Sequence, residues 1–372
     1  MRSTLRRLHR YASLALAGLW LLQAATGMLM VFHWEIDDAQ VPGAHRPVSP
    51  AGLGAAVLRE QARHPASRVT AFYATAGAPD RFDIHLEDAI GRTDIVRIDG
   101  AGQALIERPL DHDYARAGLL QAAVVLHQTL FAGDAGKTVV GCSALLLITN
   151  IAMGLVLGWP AGSSWRRVLV PTRSPRLALT LYTWHRAVGL WLSMPALVLA
   201  SAGAMLAFED PVESLLGTDV QPPALEAAKV SPPSSPHDSP RDARIAPAIA
   251  LQRAVDRFPM ATLASLRMPA DGAPWYRVRL RQPGEAARVY GTTAVYVDAQ
   301  DARIIAIDDP LLQGANRRFV DALFPTHTGE IAGTAGRCLA FAVGLWLLSQ
   351  TLLGISLWWT RRPSRSASLP RP

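Results

Sequence analysis

Residues 127–159 read HQTLFAGDAGKTVVGCSALLLITNIAMGLVLGW, and residues 327–359 read HTGEIAGTAGRCLAFAVGLWLLSQTLLGISLWW. The two stretches align without a gap at an offset of 200. His127 meets His327, Gly133 meets Gly333, Gly136 meets Gly336, Lys137 meets Arg337, Asn150 meets Gln350, Gly154 meets Gly354 and Trp159 meets Trp359. Each copy starts at a histidine, passes two glycines and enters a long uncharged apolar run. Self-similarity of this kind decides how the rest of the chain is read, because each half must then build the same unit.

Working outward, two more apolar runs precede these. The four runs, 11–33, 138–159, 187–208 and 338–359, contain no Asp, Glu, Lys or Arg, and Gln23, Asn150 and Gln350 are their strongly polar interior groups. Each has about the ~20 residues that cross a ~30 Å hydrocarbon core, so hydropathy predicts four transmembrane helices. The first and third runs repeat as well: His9 meets His185, Arg10 meets Arg186 and Gly27 meets Gly203, at an offset of 176. The difference between the two offsets falls on VQPPALEAAKVSPPSSPHDSPRDA, residues 220–243, a Pro/Ser-rich tract that cannot build a core and reads as an extended linker.

The formal net charge is +7, and its placement explains it. Arg2, Arg6, Arg7 and Arg10 precede the first run; Arg166, Arg167, Arg173, Arg176 and Arg186 separate the second from the third; Arg361, Arg362, Arg365 and Arg371 follow the fourth. The positive-inside rule puts 1–10, 160–186 and 360–372 in the cytoplasm of a bacterial cell, with both termini there, and 34–137 and 209–337 on the periplasmic side of its inner membrane. The basic balance is therefore topological and gives no case for nucleic acid. The first run is longer than a signal-peptide core, and FHWEIDD after it offers no small-residue cleavage site, so it reads as an uncleaved anchor. Cys142 and Cys338 lie near span starts, with no C-x-x-C or C-x-x-C-H, and read as packing residues.

The two extramembrane segments share an order of elements. SPAGLGAAVLREQARHP (49–65) predicts a helix; RVTAFYAT, DRFDIHLED and DIVRIDGAGQALIERPL alternate like strands. The second segment offers the helix IAPAIALQRAVDRFP, then TLASLRMP, WYRVRLRQ and TAVYVDAQDARIIAIDDP. Asp99–Gly102 and Asp298–Asp301 read as equivalent hairpin turns. The expected fold is an α-helical integral membrane protein in parallel internal duplication, each half being a span, a small periplasmic α+β module and a second span. The Gly133/Gly136 and Gly333/Gly336 pairs read as tight turns between an interfacial helix and a span. No span is visibly broken by Pro or Gly, which speaks against a permease with a midplane site.

At the level of these motifs, His-Arg opening a span, a helix-plus-strands module and H-x5-G-x2-G before the next span, nearly the whole chain resembles the PepSY-associated transmembrane family. That resemblance extends to inner-membrane ferric-siderophore reductases carrying two b-type haems, and it implies haem b as cofactor. His9, His185, His127 and His327 are the repeat-matched candidates for axial ligands, since haem iron takes neutral imidazole and two imidazoles make a six-coordinate electron-transfer centre. His33, at the far end of the first span opposite Glu209 in the repeat, is a further candidate. Arg10 and Arg186 are candidates for pairing with haem propionates. His45, His64, His85, His112 and His237 read as exposed surface residues. Asn150 and Gln350 suit interhelical hydrogen bonds better than a haem or quinone contact. No G-x-G-x-x-G follows a strand, so no nucleotide domain is built in and the electron donor, a quinol or a cytoplasmic reductase, comes from elsewhere. The function the resemblance implies is electron transfer across the membrane to a periplasmic ferric siderophore, hydroxamate-type favoured, with release of ferrous iron. The alternative is a non-catalytic membrane-anchored sensor or protease-modulating module.

Overall fold

A computed structural model describes residues 2–75, 77–109, 114–160, 162, 165–218, 244–286 and 290–361. The linker 220–243, His112, His237, Arg362, Arg365 and Arg371 lie outside the described residues. In chain order the elements are α1 (Arg2–Val31), α2 (His33–Ala39), α3 (Pro50–Arg63), β1 (Ser67–Ala74), β2 (Arg81–Asp88), β3 (Thr93–Asp99), β4 (Ala104–Pro109), α4 (Tyr114–Thr129), α5 (Gly133–Gly158) and α6 (Trp165–Leu169). They continue as α7 (Leu177–Trp191), α8 (Ser193–Ala207), α9 (Glu209–Leu216), α10 (Pro247–Arg257), β5 (Thr262–Arg267), β6 (Trp275–Arg281), β7 (Thr293–Asp298), β8 (Ile304–Asp308), α11 (Ala315–Thr328) and α12 (Gly333–Thr360).

Among the described residues three helices are long and apolar enough to cross a membrane: α1, α5 and α12 with the 3-10 turn before it. The third predicted span is corrected. It is not one run from 187 to 208 but the pair α7 and α8, bent by 62° at Leu192, and it starts ten residues early at Leu177. Pro195 is the physical cause: it has no N–H to give, and its ring excludes the carbonyl four residues back, that of Trp191, where α7 stops. One of the four apolar runs is therefore broken at a proline. Helix α1 packs on α5 and α12, α8 on α5, and α7 on α12, which closes a bundle.

Two helices from the segments expected outside the membrane join this bundle. α4 lies against α1 and α5, and α11 lies against α8. Each then reverses into the next helix through the glycines of the repeat. A Cβ on Gly136 would stand 1.6 Å from the Thr129 carbonyl oxygen, and one on Gly336 would stand 2.2 Å from that of Gly329. No side chain fits there, so the turns read from sequence are tight for a steric reason.

The strands form one antiparallel sheet in the order β4-β3-β2-β1-β5-β6-β7-β8. The two expected modules are thus one body, joined where Ala71–Tyr73 of β1 pair with Arg267–Ser265 of β5. One face is apolar: Phe72, Phe82, Ile84, Leu266, Val278 and Val295 are buried against Leu53 and Val57 of α3 and Leu251 and Ala254 of α10. Each such side chain contributes about 1.5–3 kcal/mol. The two helices approach to backbone contact, since a Cβ on Gly54 would lie 2.4 Å from the Ala248 nitrogen.

The opposite face is polar and rests on α2, directly after α1. The fully buried Arg97 donates to Asp83 from Nε (2.7 Å) and Nη2 (2.8 Å), and its Nη1 lies 2.8 Å from Asp37 of α2. Arg108 donates twice to Asp37, at 2.5 and 2.6 Å, and Arg81 donates to Asp38 at 2.9 Å. Arg337, at the start of α12, closes the ring by bonding Glu35 and the Val31 carbonyl. These contacts fix the sheet to the end of the bundle with its polar underside toward the membrane helices.

Candidate functional site

Four histidines meet in two pairs inside the bundle. The ring centres of His9 on α1 and His185 on α7 are 6.3 Å apart. Those of His127 on α4 and His327 on α11 are 6.2 Å apart. Both pairs are the repeat-matched ones. They stand at opposite ends of the bundle: His127 lies against Gly27 of α1, which is 18 residues, about 27 Å of helix, from His9.

Each ring is seated in the same way. Gly154 faces His9, Gly354 faces His185, Gly27 faces His127 and Gly203 faces His327; a Cβ at these glycines would lie 3.3, 3.5, 3.1 and 2.6 Å from the imidazole Cε1. Each ring also reaches a backbone carbonyl on a neighbouring helix. His9 Nδ1 donates to Asn150 O (3.1 Å) and His327 Nδ1 to Leu199 O (2.9 Å). The Gln350 carbonyl lies close to His185 and that of Gln23 close to His127. Asn150 and Gln350 are 200 residues apart, and Gln23 and Leu199 are 176 apart, so the carbonyls obey the offsets of the histidines they hold. Thr26 adds a contact, its hydroxyl 3.0 Å from His127 Nδ1. A ring that donates from Nδ1 keeps Nε2 as a lone-pair donor for a second partner. All four histidines are half-buried.

The two mid-span amides support this seating by interhelical hydrogen bonds. Asn150 Nδ2 donates to Ser13 Oγ (2.9 Å), and Ser13 donates to the His9 carbonyl (2.7 Å). In the other half the position of Ser13 is held by Gly189, and the longer Gln350 spans the gap. With its amide oriented to satisfy both neighbours, it donates to the His185 carbonyl at 2.9 Å and accepts from the Gly189 N–H at 3.2 Å. Serine with asparagine, and glycine with glutamine, fill the same space.

The remaining candidates stand apart from the pairs. His33 bonds the Met30 carbonyl of its own chain turn and packs on Trp34, ring centres 4.6 Å apart. Arg10 turns to its neighbour Tyr11, with Nη2 3.2 Å from the hydroxyl and its guanidinium carbon 4.8 Å from the ring centre. Arg186 donates from Nε to the Gly158 carbonyl at 3.0 Å. His45 is exposed and bonded to Asp80. His64 and His85 are corrected: both are half-buried rather than exposed, His64 beside Glu60 and His85 edge-on to Tyr73 at 4.9 Å. Cys142 and Cys338 are free thiols. Sequence reasoning missed the carbonyl holders Gln23 and Leu199, Thr26, and the Ser13/Gly189 exchange. Reading the repeat column by column would have exposed the last, but nothing in a side chain announces a backbone acceptor.

The family model of the PepSY-associated TM region matches residues 6–361, a span that contains both histidine pairs and all of their glycines. No curated protein matches the chain.

Proposed function

The chain belongs to the family of the PepSY-associated TM region, and from that premise we propose that it is a haem-containing reductase of the inner membrane. In this reading it passes electrons from a quinol or a cytoplasmic reductase to a ferric siderophore in the periplasm, and ferrous iron is released. The single observation that carries the reading is the pair of histidine separations. An imidazole nitrogen binds a first-row metal at about 2.0–2.1 Å, and with roughly 1.1 Å more to each ring centre, two rings that would share one metal lie within ~6.3 Å of each other. The two pairs, at 6.3 and 6.2 Å, meet that requirement.

The other residues support haem b as the group. A glycine beside each ring leaves its plane room to settle, and the carbonyls on His9 and His327 select the tautomer and raise ligand basicity. His9 and His185 would hold one haem, and His127 and His327 the other. Bound haem would supply one-electron chemistry at a potential set by its axial ligands. What the chain's own residues do is orient four imidazoles in two pairs, and keep the two sites near opposite faces of a bilayer ~30 Å thick.

An absorption spectrum of the detergent-purified protein tests the proposal. The expected result is a reducible b-type spectrum with up to two haems per chain. A folded but colourless protein from haem-replete cells would overturn it and leave a membrane-anchored sensor as the reading.

A further inference from the structure

All four rings are seated by one spacing. The residue whose carbonyl approaches the imidazole stands four before the glycine that faces it: Gln23 and Gly27 at His127, Leu199 and Gly203 at His327, Asn150 and Gly154 at His9, Gln350 and Gly354 at His185. Four residues is just over one helical turn, so carbonyl and glycine share a face of their helix and meet the same ring. The residue directly before the glycine breaks the likeness. It is Ala202, Met153 and Leu353 at three of the rings, and Thr26 at His127. One seat of the four therefore contains a hydroxyl.

The hydrogens of that seat follow from its acceptors. His327 Nδ1 lies 2.9 Å from the Leu199 carbonyl oxygen; a carbonyl can only accept, so this Nδ1 carries its hydrogen. His127 presents Nδ1 to the equivalent turn of α1, with the Gln23 carbonyl close to the ring and Thr26 Oγ1 at 3.0 Å from Nδ1. A threonine hydroxyl has one hydrogen to give. The shortest contact of Thr26 is the Leu22 carbonyl one turn back, at 2.8 Å, with the Gln23 carbonyl at 3.2 Å. Both only accept, so the hydrogen points to the backbone, as helical threonines back-bond, and the oxygen's lone pairs face the ring. The contact is then an N–H···O bond from His127 to Thr26, and Nε2 is left without a hydrogen. Thr26 is 7% exposed, where an unbonded hydroxyl is costly; acting as donor to the backbone and acceptor from the ring, it is satisfied in both roles.

We propose that Thr26 is a positioning residue for His127: its oxygen accepts the Nδ1 hydrogen, fixes the tautomer that leaves Nε2 for a metal and, resting on the reductase reading above, lowers the potential of the site that His127 shares with His327. An acceptor on the far nitrogen of a ligating imidazole raises the basicity of the ring, and a more basic ligand favours ferric over ferrous iron. The His9–His185 site has Met153 and Leu353 at the matching positions and lacks this acceptor, so one hydroxyl makes two repeat-related sites unequal. The site it acts on lies beside Gly27, four residues before α1 ends at Val31 and leads through α2 to the sheet. A lower potential there makes it a stronger electron donor than the repeat alone would give, which suits the last carrier before a ferric chelate.

The test uses the full-length protein in detergent and two readouts. The first is a redox titration of the haem-loaded protein, following the spectral component that His127→Ala alters. Thr26→Val keeps the shape of the side chain and removes the acceptor, so the reduction equilibrium of that component shifts upward about tenfold, ~59 mV for one electron. Thr26→Ala, which gives the first half the residue the second already carries, shifts it the same way. Thr26→Ser keeps the hydroxyl and titrates with wild type, and the other component stays in place in all three variants. The second readout is the nitrogen-15 spectrum of histidine-labelled protein prepared without haem, in which the His127 signals are those lost in His127→Gln. The expected ring is Nδ1–H with Nε2 bare. The proposal is overturned if His127 is the Nε2–H tautomer, or if Thr26→Val and Thr26→Ala both titrate with wild type. A colourless protein sinks the reductase reading, and the nitrogen spectrum then decides the Thr26 contact by itself; a haem protein whose titration ignores both substitutions sinks this proposal and keeps the reductase.

Discussion

His127 and His327 are 200 residues apart in the chain and 6.2 Å apart between ring centres. They reach one another from α4 and α11, two helices shorter than those long and apolar enough to cross a membrane, each followed by a glycine turn that returns the chain into a longer helix. The same separation recurs at the other end of the bundle between His9 and His185, 6.3 Å apart, although those two sit on helices of the bundle core.

On the proposed function, each pair holds one haem. His9→Ala and His185→Ala are expected to remove or alter the same spectral component, and His127→Ala and His327→Ala the other, because either loss opens one coordination position and shifts the potential. His33→Ala is expected to match wild type. Redox-titrated absorption spectra of the five variants make the check; unchanged spectra in all four pair variants would sink the site assignment.

The glycines behind the rings do not tolerate a methyl group equally. Gly203→Ala puts a Cβ 2.6 Å from His327 Cε1, so the ring must shift, and its pair is expected to lose more than half its spectral amplitude. Gly18→Ala meets nothing within 4 Å and is expected to leave amplitude and thermal midpoint unchanged. Equal behaviour of the two variants would show that the contact carries no weight.

The half-buried Asp37 ties stability of the sheet attachment to pH. Burial pushes its pKa up, but the hydrogen bonds from Arg108 and the charges of Arg97 and Arg108 outweigh this and hold it below 3.8, the ordinary value. A depressed carboxylate contributes in full above its unfolded pKa and loses that contribution as pH falls through the folded one. Denaturant unfolding of wild type is expected to weaken below about pH 4. Asp37→Asn should flatten that decline and cost about 3–5 kcal/mol at pH 7, since it leaves Arg97 and Arg108 short of a counter-charge. A variant with an unaltered pH profile would remove Asp37 from the account.

The sheet and the C-terminal end of α12 are expected on opposite sides of the membrane. A periplasmic reporter inserted at Gly91, an open hairpin position with nothing within 4 Å, should be active, and one fused after Thr360 should be silent. Activity at both positions would remove a span from the bundle.

Much of this was legible because chain patterns report local geometry. The period-2 alternation of DRFDIHLED marked β2, and its register followed: Phe82, Ile84 and Leu86 are all buried. The Asp99 and Asp298 turns were legible too, each aspartate accepting from backbone N–H groups two residues on, at 3.0 and 2.8 Å. The bend at Leu192 was missed although Pro195 signals it, because a hydropathy window averages over the one residue that cannot donate.

By itself the sequence determined which residues are equivalent: the offsets of 176 and 200 put the histidines, their glycines and their amides at matching depths before any coordinate was known. Only the tertiary structure decided what those residues meet. An apolar stripe or an alternating strand says that a face is buried, not against what, so the fusion of two modules into one sheet, the coupling of Arg97 to Asp37, and the carbonyls that hold the imidazoles are set by packing between segments far apart in the chain. Backbone carbonyls belong to every residue alike, and only the fold selects which four of them face a ring.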